Sequence, residues 1–167
     1  MNIITKFTVA TEQAVDTLSM LTRELAIEKF SAIIDQRMLA DYIATNFNEK
    51  VLVSELNSMS NQWLVVYVDD NPAGYARITS KGKKPESLDN KRSVRIADFG
   101  VLKKYPEQAI SSLLEKCLTV CKSYEGVWIN EYLQNPLIEF FENKGFSKQP
   151  ETFQLDELPL ESVCLTA

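Results

Sequence analysis

Val127-Trp128-Ile129-Asn130-Glu131-Tyr132-Leu133-Gln134-Asn135-Pro136-Leu137-Ile138-Glu139-Phe140-Phe141-Glu142-Asn143-Lys144-Gly145-Phe146 is the stretch on which the fold turns. Val127-Trp128-Ile129 is branched and aromatic, the composition of a short buried strand. Asn135 ahead of Pro136 reads as a helix start. An Asn side chain accepts from the first unpaired amides, and a proline in the first turn loses no helical bond. Pro136 to Lys144 is then a helix, and Gly145 ends it.

Upstream, Ile110, Leu113, Leu114, Cys117, Val120 and Cys121 form the apolar stripe of another helix, with Pro106 in its first turn. Before it comes a strand from about Arg92 to Leu102, and before that a surface loop, Ser80 to Lys91, holding turn residues and four lysines. Trp63 to Val68 and Ala73 to Thr79 flank the turn residues Asp69-Asp70-Asn71-Pro72 and read as a β-hairpin. The first third is helical. Thr11 caps a helix with Val15, Leu18, Leu21, Leu25 and Ile27 inward. Asp35 caps Gln36 to Phe47, and Asn48 caps a helix from Glu49 to about Met59, with Val51, Leu52, Leu56 and Met59 inward. Asn2 to Thr8 is a strand at one end and Ser162 to Thr166 at the other. The order β, helices, ββ, β, α, β, α, β predicts an α/β (α+β) fold, a mixed central sheet flanked by helices, as one domain over 1–167.

Composition narrows the function. A formal net charge of -5 argues against nucleic acid as a partner, since binding a polyanion needs a cationic face, whereas it suits a small cationic amine. There is no histidine, which removes His bases and His metal ligands, and no metal site is expected. The three cysteines have no metal-type spacing and read as core thiols. No apolar run is long enough for a signal peptide or a membrane span, so the expectation is a cytoplasmic protein without membrane contact.

The strand, the helix-opening Asn135, the aromatic pair Phe140-Phe141 and Gly145-Phe146 resemble the late signature of the GNAT superfamily of N-acetyltransferases. Trp63 to Val68, Ala73 to Ile78 and Ile96 to Val101 resemble its hairpin and fourth strand, so the resemblance spans nearly the whole chain. Tyr42, Phe47-Asn48, Leu52 and Glu55-Leu56 are similar to the helical segment of the branch that acetylates the polyamines spermidine and spermine. The resemblance implies direct transfer of an acetyl group from acetyl-CoA to a small-molecule amine. It places Phe99, Val101, Gln108, Ala109, Ser111, Ser112 and Asn135 at the cofactor. It makes Asp98 or Glu131 the base, and Tyr132 the candidate for protonating the leaving thiolate. Gly100 suits a bulge in the fourth strand.

Two departures stand out. The loop Lys103 to Ser112 contains no glycine. Ala109 and Ser111 stand where the family has Gly, Pro106 lacks an N–H, and Glu107 sets a carboxylate where a pyrophosphate would meet the helix dipole. Phe141 stands where many members have a proton-donating tyrosine. A degenerate, catalytically inactive GNAT-fold protein that binds another ligand or a protein partner is the alternative these departures favour. A third reading is an interaction module that forms one half of a homodimer, since sheets of this type pair through edges or helices.

Overall fold

The computed structural model describes residues 1–155 and 157–167. The strands β1 (Ile3–Thr8), β2 (Asn61–Val68), β3 (Asn71–Thr79), β4 (Ser93–Val101), β5 (Gly126–Tyr132), β6 (Ser147–Gln154) and β7 (Glu161–Thr166) form one sheet in the order β1-β2-β3-β4-β5-β7-β6. Five helices cover it: α1 (Glu12–Phe30), α2 (Gln36–Asn46), α3 (Glu49–Asn57), α4 (Glu107–Val120) and α5 (Leu137–Asn143). No helix among the described residues is long and apolar enough to cross a membrane.

Both sheet faces are buried, which is why β2 reads as a continuous apolar run and not as an alternation. Leu64 and Val66 join Leu113, Leu114 and Phe141 under α4 and α5, while Trp63 and Val65 join Leu18, Leu21 and Leu52 under α1 and α3. The predicted caps are in place. Thr11, Asp35 and Asn48 accept from the amides of Ala14, Arg37 and Val51. The hairpin turn uses Asp69 and Asp70 at φ 48° and 67°, the left-handed pair that matches strand twist. Cys117 and Cys121 are buried thiols, and burial pushes Cys121 up to about 11.

Three expectations are corrected. Ile27 and Met59 do not point inward: Ile27 is exposed on α1, and α3 ends at Asn57, which leaves Met59 in solvent. A seventh strand, β6, exists where none was expected. Its sequence SKQPETFQ is polar and contains Pro150, the chemistry of a sheet edge, which gives little apolar signal.

The middle of the sheet positions the site. β4 and β5 run parallel, yet they pair only over Ser93–Arg95 and Gly126–Trp128, although β4 continues to Val101 and β5 to Tyr132. Beyond Arg95 and Trp128 the two strands part. At the same level β4 bulges against β3. Arg77 faces Ala97 and Tyr75 faces Gly100, so Ala76 opposes both Asp98 and Phe99, and Asp98 takes φ 53°. Gly74 lets β3 follow this distortion, because a β-carbon there would run into the Gly100 carbonyl and lie 2.7 Å from Val101 Cα. Gly74→Ala is therefore expected to lower the unfolding free energy by about 2 kcal/mol or more, read from urea melts. A change below about 0.5 kcal/mol would show that the bulge yields easily.

Candidate active site

The parting of β4 and β5 leaves a wedge-shaped opening, with α1 and the start of α5 along its sides. Past the bulge, the amide of Leu102 bonds back to Ala73. Successive residues of a strand turn their backbone groups to opposite edges, so those of Phe99 and Val101 face away from β3, into the opening. Two side chains at the end of α1 meet this free edge. Lys29 Nζ donates to the Phe99 carbonyl at 2.9 Å, and Glu28 Oε1 accepts from the Lys103 amide at 3.0 Å. Val101 lies between these two contacts.

One cavity of about 260 Å³ lies on the side where α4 begins, lined by Gly100, Val101, Lys103, Tyr132, Asn135 and Leu137 among others. A second, of about 330 Å³, opens on the other side over Glu55, Trp63, Arg77, Asp98, Phe47 and Glu157. Between them a small space of about 40 Å³ is walled by Lys29, Tyr75, Arg95, Asp98 and Glu131. Lys29 lines both this space and the first cavity, which marks it as the joint between the two sides.

The charges here are paired, and the pairing separates the two candidate bases. Asp98 faces Arg77, Oδ2 to Nη2 at 3.2 Å, and the same guanidinium reaches Glu55 at 3.1 Å. Glu131 is buried at 5 % exposure and accepts from Asn135 Nδ2 at 2.7 Å. Burial pushes its carboxyl above the ordinary value, with Lys29 and the Asn135 amide pulling in the other direction. Asp98 is thus a salt-bridged carboxylate, while Glu131 is a buried one inclined to take up a proton. Tyr132 is buried with its ring 5.2 Å from that of Phe30. Burial followed by the nearby Glu131 pushes its phenol up to about 12.

The structure brings Tyr132, Val101 and Asn135 together in the first cavity and sets Asp98 apart from them on the small space and the second cavity, while Phe99 contributes its carbonyl and packs its ring 5.3 Å from that of Phe141. Asn135 also accepts from the Leu137 amide, so it caps α5 and holds Glu131 at once. Glu107 and Ile110 bring α4 to the first cavity, but the four α4 residues expected at the cofactor stand apart from it. Ala109 is buried in the core, Ser112 pairs with Thr5 Oγ1 on β1 at 2.9 Å, Gln108 is exposed, and Ser111 is outside the lining. Phe141 is fully buried, with its ring against Phe99, Phe140 and Phe146. Sequence reasoning missed Glu28, Lys29, Tyr75 and Arg95. A charged pair in the last turn of an amphipathic helix carries no signal that separates it from a solvated face.

No family model matches the chain. Solved structures do. The PaiA N-acetyltransferase of Thermoplasma acidophilum, in complex with coenzyme A, superposes with a TM-score of 0.75 at 13% identity, covering 98% of each chain. A GNAT-family acetyltransferase from Streptococcus pneumoniae gives 0.68 at 13% identity over 99% of each chain. Arabidopsis thaliana Naa50, bound to the bisubstrate analogue CoA-Ac-MVNAL, gives 0.61 at 19% identity over 98% of this chain and 97% of that one. The fold is that of the GNAT acetyltransferases. At these identities the likeness is one of architecture, and chemistry rests on the residues in the opening.

The buried carboxyl of Glu131 makes stability depend on pH. The folded protein holds this proton to higher pH than the unfolded chain does, so unfolding releases it. Stability should therefore fall as pH rises from the ordinary 4.5 through the folded value. Glu131→Gln should flatten that limb in denaturant titrations run between about pH 4 and 8. An unchanged slope would assign the titration to another group.

Proposed function

We propose that the chain is an N-acyltransferase that takes an acetyl group from acetyl-CoA and passes it directly to a small amine. The observation that carries this reading is the parting of β4 and β5, with a buried carboxyl, Glu131, on the wall between two cavities. The free edge of Val101 suits a donor whose arm contains amides, since that arm can lie beside β4 as a short extra strand. Acetyl-CoA bound there would supply an acetyl group activated as a thioester.

The acceptor belongs on the other side. Trp63, Phe47 and Tyr42 line that cavity together with Glu55, Asp98 and Glu157, an apolar wall with carboxylates suited to a cationic amine. Within that class a polyamine is the finer reading, supported by the spread of the three carboxylates. Glu131, inclined by burial to bind a proton, is the base that receives the amine's proton, and Asn135 holds it in place. Asp98, tied to Arg77, shapes the acceptor wall. Tyr132 keeps its phenolic proton to high pH and lines the donor cavity beside Tyr105, which makes it one hydrogen donor available there in place of a tyrosine at Phe141.

Specific features favour a second reading, a non-catalytic binder. Phe141 has no proton to give, and the backbone groups on either side of Val101 are already engaged by Lys29 and Glu28. Thiol release from acetyl-CoA across a panel of primary amines decides between the two. Under the enzyme reading it saturates in both substrates, Glu131→Gln lowers kcat by about 10²-fold or more, and Tyr132→Phe lowers it by a smaller factor. Acetyl-CoA binding without thiol release for any amine would give the site to the second reading.

A further inference from the structure

Among the described residues, Leu25 and Lys29 line both the donor cavity and the small polar space, and of the two only Lys29 carries a nucleophile. Lys29 is half-buried near the end of α1. Its Nζ donates to the Phe99 carbonyl at 2.9 Å, which holds the nitrogen beside β4 where that strand has left β5. The other nucleophiles are elsewhere or held back. Cys117 and Cys121 belong to the core, Cys164 packs with Leu88 and Trp128, and Lys103 is exposed. Tyr132 keeps its proton, since burial pushes its phenol up to about 12.

An acyl group passing from the donor cavity to the acceptor cavity crosses the small space, and Lys29 stands on that path. Glu131 lines the same space and feels the Lys29 charge. An amine attacks a carbonyl only in its neutral form, and a neighbouring carboxylate that accepts the proton supplies that form. A neutral Nζ that gives one hydrogen to the Phe99 carbonyl has its lone pair in another tetrahedral direction, away from that oxygen.

We propose that Lys29 is itself an acyl acceptor: with a thioester in the donor cavity and no amine opposite, the chain acylates its own Lys29 Nζ, with Glu131 as the base. The inference rests on the proposed acyl-donor reading and adds a modification site to it. The ammonium gives one proton to Glu131 and Nζ adds to the thioester carbonyl. The C–S bond breaks as the amide N–C bond forms, and a second proton from the nitrogen leaves with the sulfur as free thiol. The amide keeps one N–H for the Phe99 carbonyl, while the acyl group occupies the small space. Each chain therefore reacts once, and the modified chain has lost the passage between its two cavities.

Incubation of the full-length chain with acetyl-CoA and no amine, followed by peptide mapping by mass spectrometry, tests this. Lys29 is expected to gain an acetyl group about tenfold or more faster than the exposed Lys50 and Lys83, because a held pair outruns reaction from solution. Excess coenzyme A should suppress labelling at Lys29 and leave Lys50 and Lys83 unaffected, and Glu131→Gln should slow labelling at Lys29 by about tenfold or more. Lys29 labelled no faster than the exposed lysines, or undiminished by coenzyme A or by Glu131→Gln, would overturn the inference. Lys29→Arg keeps a donor for the Phe99 carbonyl and is expected to abolish thiol release in the absence of amine, and persistence of that release would place the acyl group elsewhere. Transfer to added amines with Lys29 unmodified would overturn the inference and leave the proposed function standing, whereas failure to bind acetyl-CoA would overturn both.

Discussion

The separation of two parallel strands is the constraint on which the rest of the molecule depends. A parallel pair is stabilised by regular bonds along its length, and β4 and β5 give these up after three residue pairs. The bulge compensates in part. It keeps β4 paired with β3 on one side while turning Phe99 and Val101 toward the opening, at the expense of a left-handed Asp98. The Arg77 guanidinium then ties the displaced Asp98 to Glu55 on α3, so the distortion is fixed by an ion-pair chain that also lines the second cavity.

The two sides of the opening differ in chemistry. One offers a strand edge and apolar surface, the other aromatic rings and carboxylates, and Glu131 lies where they meet. Asn135 joins structure to chemistry. Its oxygen starts α5 and its nitrogen holds the Glu131 carboxyl. Lys29 gives the opening a counter-charge and engages the strand edge at once.

Much of this was legible in the sequence because it rests on local signals. The caps Thr11, Asp35 and Asn48, the Asp69-Asp70 turn, the stripe of α4 and the Gly145 stop each depend on a few neighbouring residues, and they placed the sheet and its helices. What was hidden depends on distant partners. Asp98 sits in an alternating run, and nothing within that run announces a left-handed residue or a salt bridge to Arg77. Glu28 and Lys29 look like the wet end of α1 until β4 is folded against them. Tyr132 packs against Phe30 of α1, far away in sequence, so its burial is invisible in the residues around it. β6 is polar because it is an edge, and its pairing is supplied by β7.

The central claim is that the free edge of β4 is the donor's docking surface. Amide hydrogen exchange at Val101, followed residue by residue by NMR with and without saturating coenzyme A, tests it most directly. Ligand should slow exchange at Val101 by about tenfold or more while leaving the β1 edge at Ile3 and Thr5 unchanged. Saturation of the protein with no change at Val101, or with protection confined to the sheet edges, would contradict the assignment.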